Sequence, residues 1–131
     1  MRRLLTLLLG GCLLPCQANS GSTLLYVHSP DCGACIQFMA EAGGLYPKTR
    51  EASLMPMSSV TLAAWQAGDH ALAQCSIAPV VVTPTYVQII DCQEVDRITG
   101  YSSDELWWFS LKRMVDRVTV DPGDSQAVST R

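Results

Sequence analysis

The spacing of apolar positions changes along the chain, and the changes mark out the elements. The run Leu24-Leu25-Tyr26-Val27 within Thr23–Val27 is almost wholly apolar, the pattern of a central strand buried on both faces. Ser29-Pro30-Asp31 ends it. From Cys35 onward Ile36, Phe38, Met39 and Ala42 recur at helical spacing until Gly43-Gly44 halts the run, so that strand, turn, two cysteines and helix follow one another. Pro56 to Leu62, carrying Met57 and Val60, predicts a second strand. The Ala-rich stretch from Ala63 to Gln74 predicts a short helix interrupted at Gly68. Thr85 to Ile90 is dense in β-branched and aromatic residues, and Val95 to Thr99 follows it after a turn at Asp91 to Glu94. These two runs predict an antiparallel hairpin. Ser102-Ser103-Asp104-Glu105 matches a capping box, with the Ser102 hydroxyl and the Glu105 carboxylate satisfying amides at a helix start. That helix runs to about Val118 with an apolar stripe of Trp107, Leu111, Met114 and Val118, flanked by Trp108 and Val115. Trp107-Trp108-Phe109 cannot all face inward on one helix, which leaves Trp108 or Phe109 at the edge of the packed face.

The two ends read differently from the middle. Arg2 and Arg3 precede a short apolar run from Leu4 to Leu14, and Cys16 and Ala18 place small residues where a signal peptidase reads. Residues 1–18 are therefore expected to be a removable signal peptide, the apolar run being too short to span a membrane. Leu9-Gly10-Gly11-Cys12 resembles a lipoprotein leader, but Gly10 fits that pattern poorly. The remainder divides into one domain at 19–120 and a polar tail at 121–131 containing Pro122-Gly123. A chain of 131 residues with 48% hydrophobic content holds one ordinary core. Removing Arg2 and Arg3 leaves seven basic residues against twelve acidic ones, a net charge of −5. A nucleic-acid partner would need a basic stripe, and the sequence has none.

The same cut removes Cys12 and Cys16 and leaves Cys32, Cys35, Cys75 and Cys92, four thiols in an oxidising compartment. Cys32-Gly33-Ala34-Cys35 sits between a buried strand and a helix. Thiol-disulfide exchange needs one accessible thiolate and a second thiol close enough to resolve the mixed disulfide. A helix beginning near Cys32 brings free amides and the positive end of its dipole to that sulfur, lowering its pKa, while Cys35 in the first turn is shielded. Zinc would ask for a second such pair or two spaced histidines, and the chain has only His28 and His70. The catalytic candidates are Cys32 and Cys35, with no metal and no cofactor required.

A second feature lies at Val81-Val82-Thr83-Pro84-Thr85, ahead of the strongest strand. A proline entering a strand often marks a cis bond at a tight turn and leaves backbone groups of the preceding residue free. Thr83 and Pro84 are the candidate substrate-binding residues. Cys75 and Cys92 are expected not to form a second obligatory bridge. Cys75 precedes the Pro84 loop and Cys92 follows the next strand, whose six residues span about 20 Å against a disulfide reach of about 6 Å.

Ser29-Pro30-Asp31-Cys32-Gly33-Ala34-Cys35 opening a helix, Thr83-Pro84 opening a hairpin, and a terminal helix together resemble the thioredoxin superfamily over about Thr23 to Val118. Tyr46 to Thr49 (Tyr-Pro-x-Thr), Thr83 to Thr85, Gly100-Tyr101 and Trp107-Trp108-Phe109 are similar to the SoxS-type periplasmic thioredoxins of bacterial sulfur oxidation (Sox). The resemblance implies an α/β, thioredoxin-like fold, with a central mixed sheet of about four strands flanked by helices. It also implies a periplasmic thiol-disulfide oxidoreductase acting on disulfide-containing periplasmic proteins and fed by a membrane thiol carrier. Gly33-Ala34 departs from the bulkier pair expected in that subfamily. The buried carboxylate of thioredoxin corresponds by offset to Tyr26, so its proton-transfer role does not carry over.

The competing reading is a copper-binding thioredoxin-like chaperone, in which His28 joins the two sulfurs to hold Cu(I). Met55 and Met57 flank Pro56 but read as core filler.

Overall fold

The computed structural model describes residues 21–119; the expected signal peptide at 1–18 and tail at 121–131 lie outside them. Four strands, β1 (Ser22–His28), β2 (Met57–Thr61), β3 (Thr85–Ile90) and β4 (Gln93–Thr99), form one sheet in the order β2-β1-β3-β4. β1 pairs parallel with β2 and antiparallel with β3, and β3 pairs antiparallel with β4. The sheet is mixed, as expected.

The apolar run of β1 divides between the two faces because successive side chains of a strand point opposite ways. Leu24 and Tyr26 join Phe38, Tyr46, Tyr86 and Trp107 in one core cluster. Leu25 and Val27 join Val60, Val80, Val87 and Ile89 in the other. Helices α1 (Gly33–Phe38), α2 (Arg50–Leu54) and α4 (Asp104–Thr119) supply or flank the first layer, and α3 (Leu62–Gln66) borders the second. Of the expected α4 stripe, Trp107, Leu111 and Met114 are buried, while Phe109 stands 77% exposed.

Several local expectations shift. The helix after Cys35 does not run on regularly: α1 passes into a π-helical turn at Met39–Gly43. A Cβ on Gly43 would fall 2.6 Å from Met39 Sδ and 2.8 Å from the Phe38 ring, so a side chain there would displace a core aromatic. The Ala-rich stretch is two pieces, α3 and a 3-10 turn at Ala71–Gln74, with Gly68 at φ +79° between them. The hairpin turn is shorter than expected, only Asp91 and Cys92, both at positive φ, which is the two-residue turn whose twist suits a hairpin. The α4 cap is Ser103 rather than Ser102: the Leu106 amide donates to Ser103 Oγ at 3.3 Å. Helix α2, capped by Thr49, has no counterpart in the sequence reading.

The expectation that Cys75 and Cys92 stay apart is overturned, because they form a disulfide with Cα atoms 4.7 Å apart. A Cys75 at the Pro84 end of the sheet would lie a full strand away from Cys92. In fact Ser76 bridges in parallel to Gln93, donating to Cys92 O and accepting from the Glu94 amide, both at 2.9 Å. The chain from Ser76 to Thr83 then covers the return distance, which eight extended residues can span.

Candidate active site

β1 delivers the chain to the site and ends at His28; the turn Ser29-Pro30-Asp31 closes with the Cys32 amide donating to Ser29 O at 3.2 Å. Cys32 then occupies the N-cap of α1 in extended backbone. A cap normally offers a side-chain oxygen to an amide of the first turn; here the Cys35 amide donates to Cys32 Sγ at 3.1 Å. The Cys32 carbonyl accepts from the Cys35 and Ile36 amides, each at 3.1 Å. Position and polarity together favour negative charge on this sulfur.

Cys32 and Cys35 are disulfide-bonded, with Cα atoms 5.1 Å apart. Cys32 is half-buried and Cys35 only 4% exposed. That asymmetry gives one sulfur that a partner can reach and one that is shielded beside it.

The second loop meets the first through hydroxyls. Thr83 Oγ1 lies 3.0 Å from Ser29 Oγ, and the Thr83–Pro84 peptide bond is cis. Thr85 Oγ1 donates to Val82 O at 2.7 Å, and the Gly100 amide donates to Pro84 O at 2.8 Å. Farther back, Arg97 donates to the carbonyls of Ala78 and Pro79, and Glu94 accepts from the Ala78 amide at 2.8 Å. The structure thus brings Thr83 beside the turn that presents Cys32, with Val81 and Val82 exposed next to it. The Glu94–Arg97 anchor carries no motif and was not visible in the sequence.

Tyr26 stands beneath the disulfide and donates from its hydroxyl to Cys35 O at 3.5 Å. Burial pushes its phenol up to about 12, so it stays neutral near pH 7. His28 stacks on Tyr26 with ring centroids 5.1 Å apart. No cluster of three or more His, Cys, Asp or Glu side chains suited to a metal occurs among the described residues. Met55 is fully buried in the core.

No family model and no curated protein matches the chain. Solved structures do. The periplasmic thioredoxin SoxS from Paracoccus pantotrophus, in its reduced form, is 24% identical over 73% of this chain and 97% of its own, with a TM-score of 0.58. The germline-specific thioredoxin Deadhead from Drosophila melanogaster is 15% identical over 72% and 82%, with a TM-score of 0.52. A Malassezia sympodialis thioredoxin is 15% identical over 73% and 76%, with a TM-score of 0.50. The chain has the thioredoxin-like fold expected of it.

Proposed function

We propose that this chain is a periplasmic thiol-disulfide oxidoreductase that reduces or isomerises disulfides in partner proteins, components of a sulfur-oxidation system among them. The observation that carries the reading is the pairing of a half-buried N-cap sulfur, Cys32, with a buried one, Cys35, in a single disulfide. In the reduced protein the Cys32 thiolate attacks one sulfur of a partner disulfide. A mixed disulfide forms and the other partner sulfur leaves as a thiolate. The Cys35 thiolate then attacks Cys32, the internal bond closes, and the second partner sulfur departs. Two electrons pass to the partner, which becomes a dithiol, and a membrane thiol carrier returns them to Cys32 and Cys35.

Thr83 and Pro84 form the docking edge for the substrate backbone, next to the exposed Val81 and Val82. The likeness to SoxS, a periplasmic thioredoxin, supports the location; the leader-like pattern of residues 1–18 supports export.

Two measurements test this. Mild alkylation of the reduced protein at neutral pH labels Cys32 before Cys35. Replacing Cys35 with serine stalls the reaction at the mixed disulfide and captures periplasmic proteins on Cys32. Equal labelling of the two thiols, together with no captured partner, would refute the assignment.

A further inference from the structure

Resolution of the mixed disulfide requires Cys35 to lose a proton, and Cys35 is buried where bulk water reaches it poorly. An open cavity of about 400 Å³ nevertheless leads to it, lined by Tyr26, His28, Cys35, Ile36, Met39 and Ser59. That volume holds several waters at about 30 Å³ each. The titratable groups facing the cavity are few. β1 contributes Tyr26 and His28, α1 contributes Cys35 itself, and β2 contributes only the neutral Ser59, which stands opposite Tyr26 in the parallel ladder. The turn between β1 and α1 adds Ser29 and Pro30, and no carboxylate or ammonium lines the space. Tyr26, raised to about 12 by burial, is a poor base near neutrality. An imidazole is suited to take and return a proton there.

We infer that His28 is the proton acceptor for Cys35, working through water in this cavity. The inference rests on the redox reading of Cys32 and Cys35. In the step it serves, the Cys35 proton passes to His28, and the Cys35 thiolate forms the bond to Cys32. The bond from Cys32 to the partner sulfur breaks, and the departing thiolate takes up the proton that the imidazolium gives back. Stacking on Tyr26 holds the ring at the cavity wall.

The test uses protein reduced at Cys32 and Cys35 and an aromatic disulfide reagent that releases one coloured thiolate at each step. The first release reports attack by Cys32 and the second reports resolution by Cys35. In wild type the second rate carries an ionisation that the His28→Gln profile lacks, and the ratio of second to first rate falls at least about tenfold in the variant, a modest share of what a positioned base contributes. Added imidazole accelerates the second release of His28→Ala in proportion to its unprotonated form. A second-phase pH profile and rate ratio unchanged in His28→Gln overturn the inference, as does a His28→Ala protein indifferent to imidazole. A missing first release overturns the redox reading, and this inference with it; a normal first release with an unaltered second overturns this inference alone.

Discussion

The side-chain oxygens of Ser29 and Thr83 lie 3.0 Å apart across a sequence separation of 54 residues. Their hydrogen bond ties the turn in front of Cys32 to the residue in front of Pro84. Both residues are half-buried, so an unpaired hydroxyl left behind is partly desolvated. Ser29→Ala and Thr83→Val should each lower the free energy of unfolding by about 1 kcal/mol. Because they share one bond, the double variant should lose about as much as either single, and denaturant unfolding of all four proteins measures it. Fully additive losses would mean that the two loops are not coupled through these groups.

The Cys75–Cys92 bridge closes the segment that contains Val80, Thr83 and Pro84, with a sequence separation of 17 residues. A loop of that length restricts the unfolded chain by about 3 kcal/mol in the chain-entropy account. Replacing both cysteines with alanine should cost about that much stability. The comparison is best made in a Cys32→Ser, Cys35→Ser background, where a single bridge is varied. Peptide mapping of the oxidised protein should recover Cys75 joined to Cys92, and a free thiol at either position would contradict the pairing.

The outcome for this bridge shows which kind of information the sequence carries. β1 was legible because a strand buried on both faces must be almost wholly apolar, and β3 because it is dense in β-branched and aromatic residues. The cysteine pair and Thr83-Pro84 were legible because their chemistry is local. Cys75 was misplaced because the course of residues 76 to 80 is set by tertiary bonds, the Ser76 bridge to Gln93 and the Arg97 clamp on Ala78 and Pro79. No periodicity announces these. Helix α2 was missed for a related reason: five residues are too few to show a stripe. The π-helical turn at Met39–Gly43, where Gly43 packs closely on Phe38, is likewise marked by a contact and not by a pattern.

Glu94 links stability to pH. Its hydrogen bond with Arg97 is the main cause of a pKa held below the usual glutamate value, with burial opposing and the Ala78 amide assisting. A depressed folded-state pKa contributes stability that is complete above the unfolded value, about 4.3, and is lost as pH falls through the lower folded value. Wild type should therefore exceed Glu94→Gln by about 1 kcal/mol at neutral pH. The gap should close in acid. Thermal unfolding of both proteins at pH 7 and near pH 3 checks the sign, and a gap that widens in acid would reverse it.

Electron flow depends on how far the fold favours the Cys32 thiolate over the disulfide. Strong disulfide donors reach about −120 mV through an unusually stable reduced form, whereas thioredoxin lies near −270 mV; the gap is about 7 kcal/mol at roughly 1.4 kcal/mol per 30 mV. The donor to Cys32 Sγ within the motif is the Cys35 amide, and Gly33 and Ala34 bring neither a side-chain donor nor a positive charge. Without such a group the thiolate lacks its most direct additional stabiliser. The potential should accordingly fall between about −180 and −270 mV, which makes the reduced protein a reductase or isomerase. A Cβ at position 33 meets nothing within 4 Å, so Gly33→His can be accommodated. Its imidazolium beside Cys32 should raise the potential by about 30 mV for each 1.4 kcal/mol of added thiolate stabilisation. Equilibration with glutathione buffers reads both proteins directly. A wild-type value close to about −120 mV would make the chain a disulfide donor, and an unchanged value in Gly33→His would remove the charge argument on which the assigned direction rests.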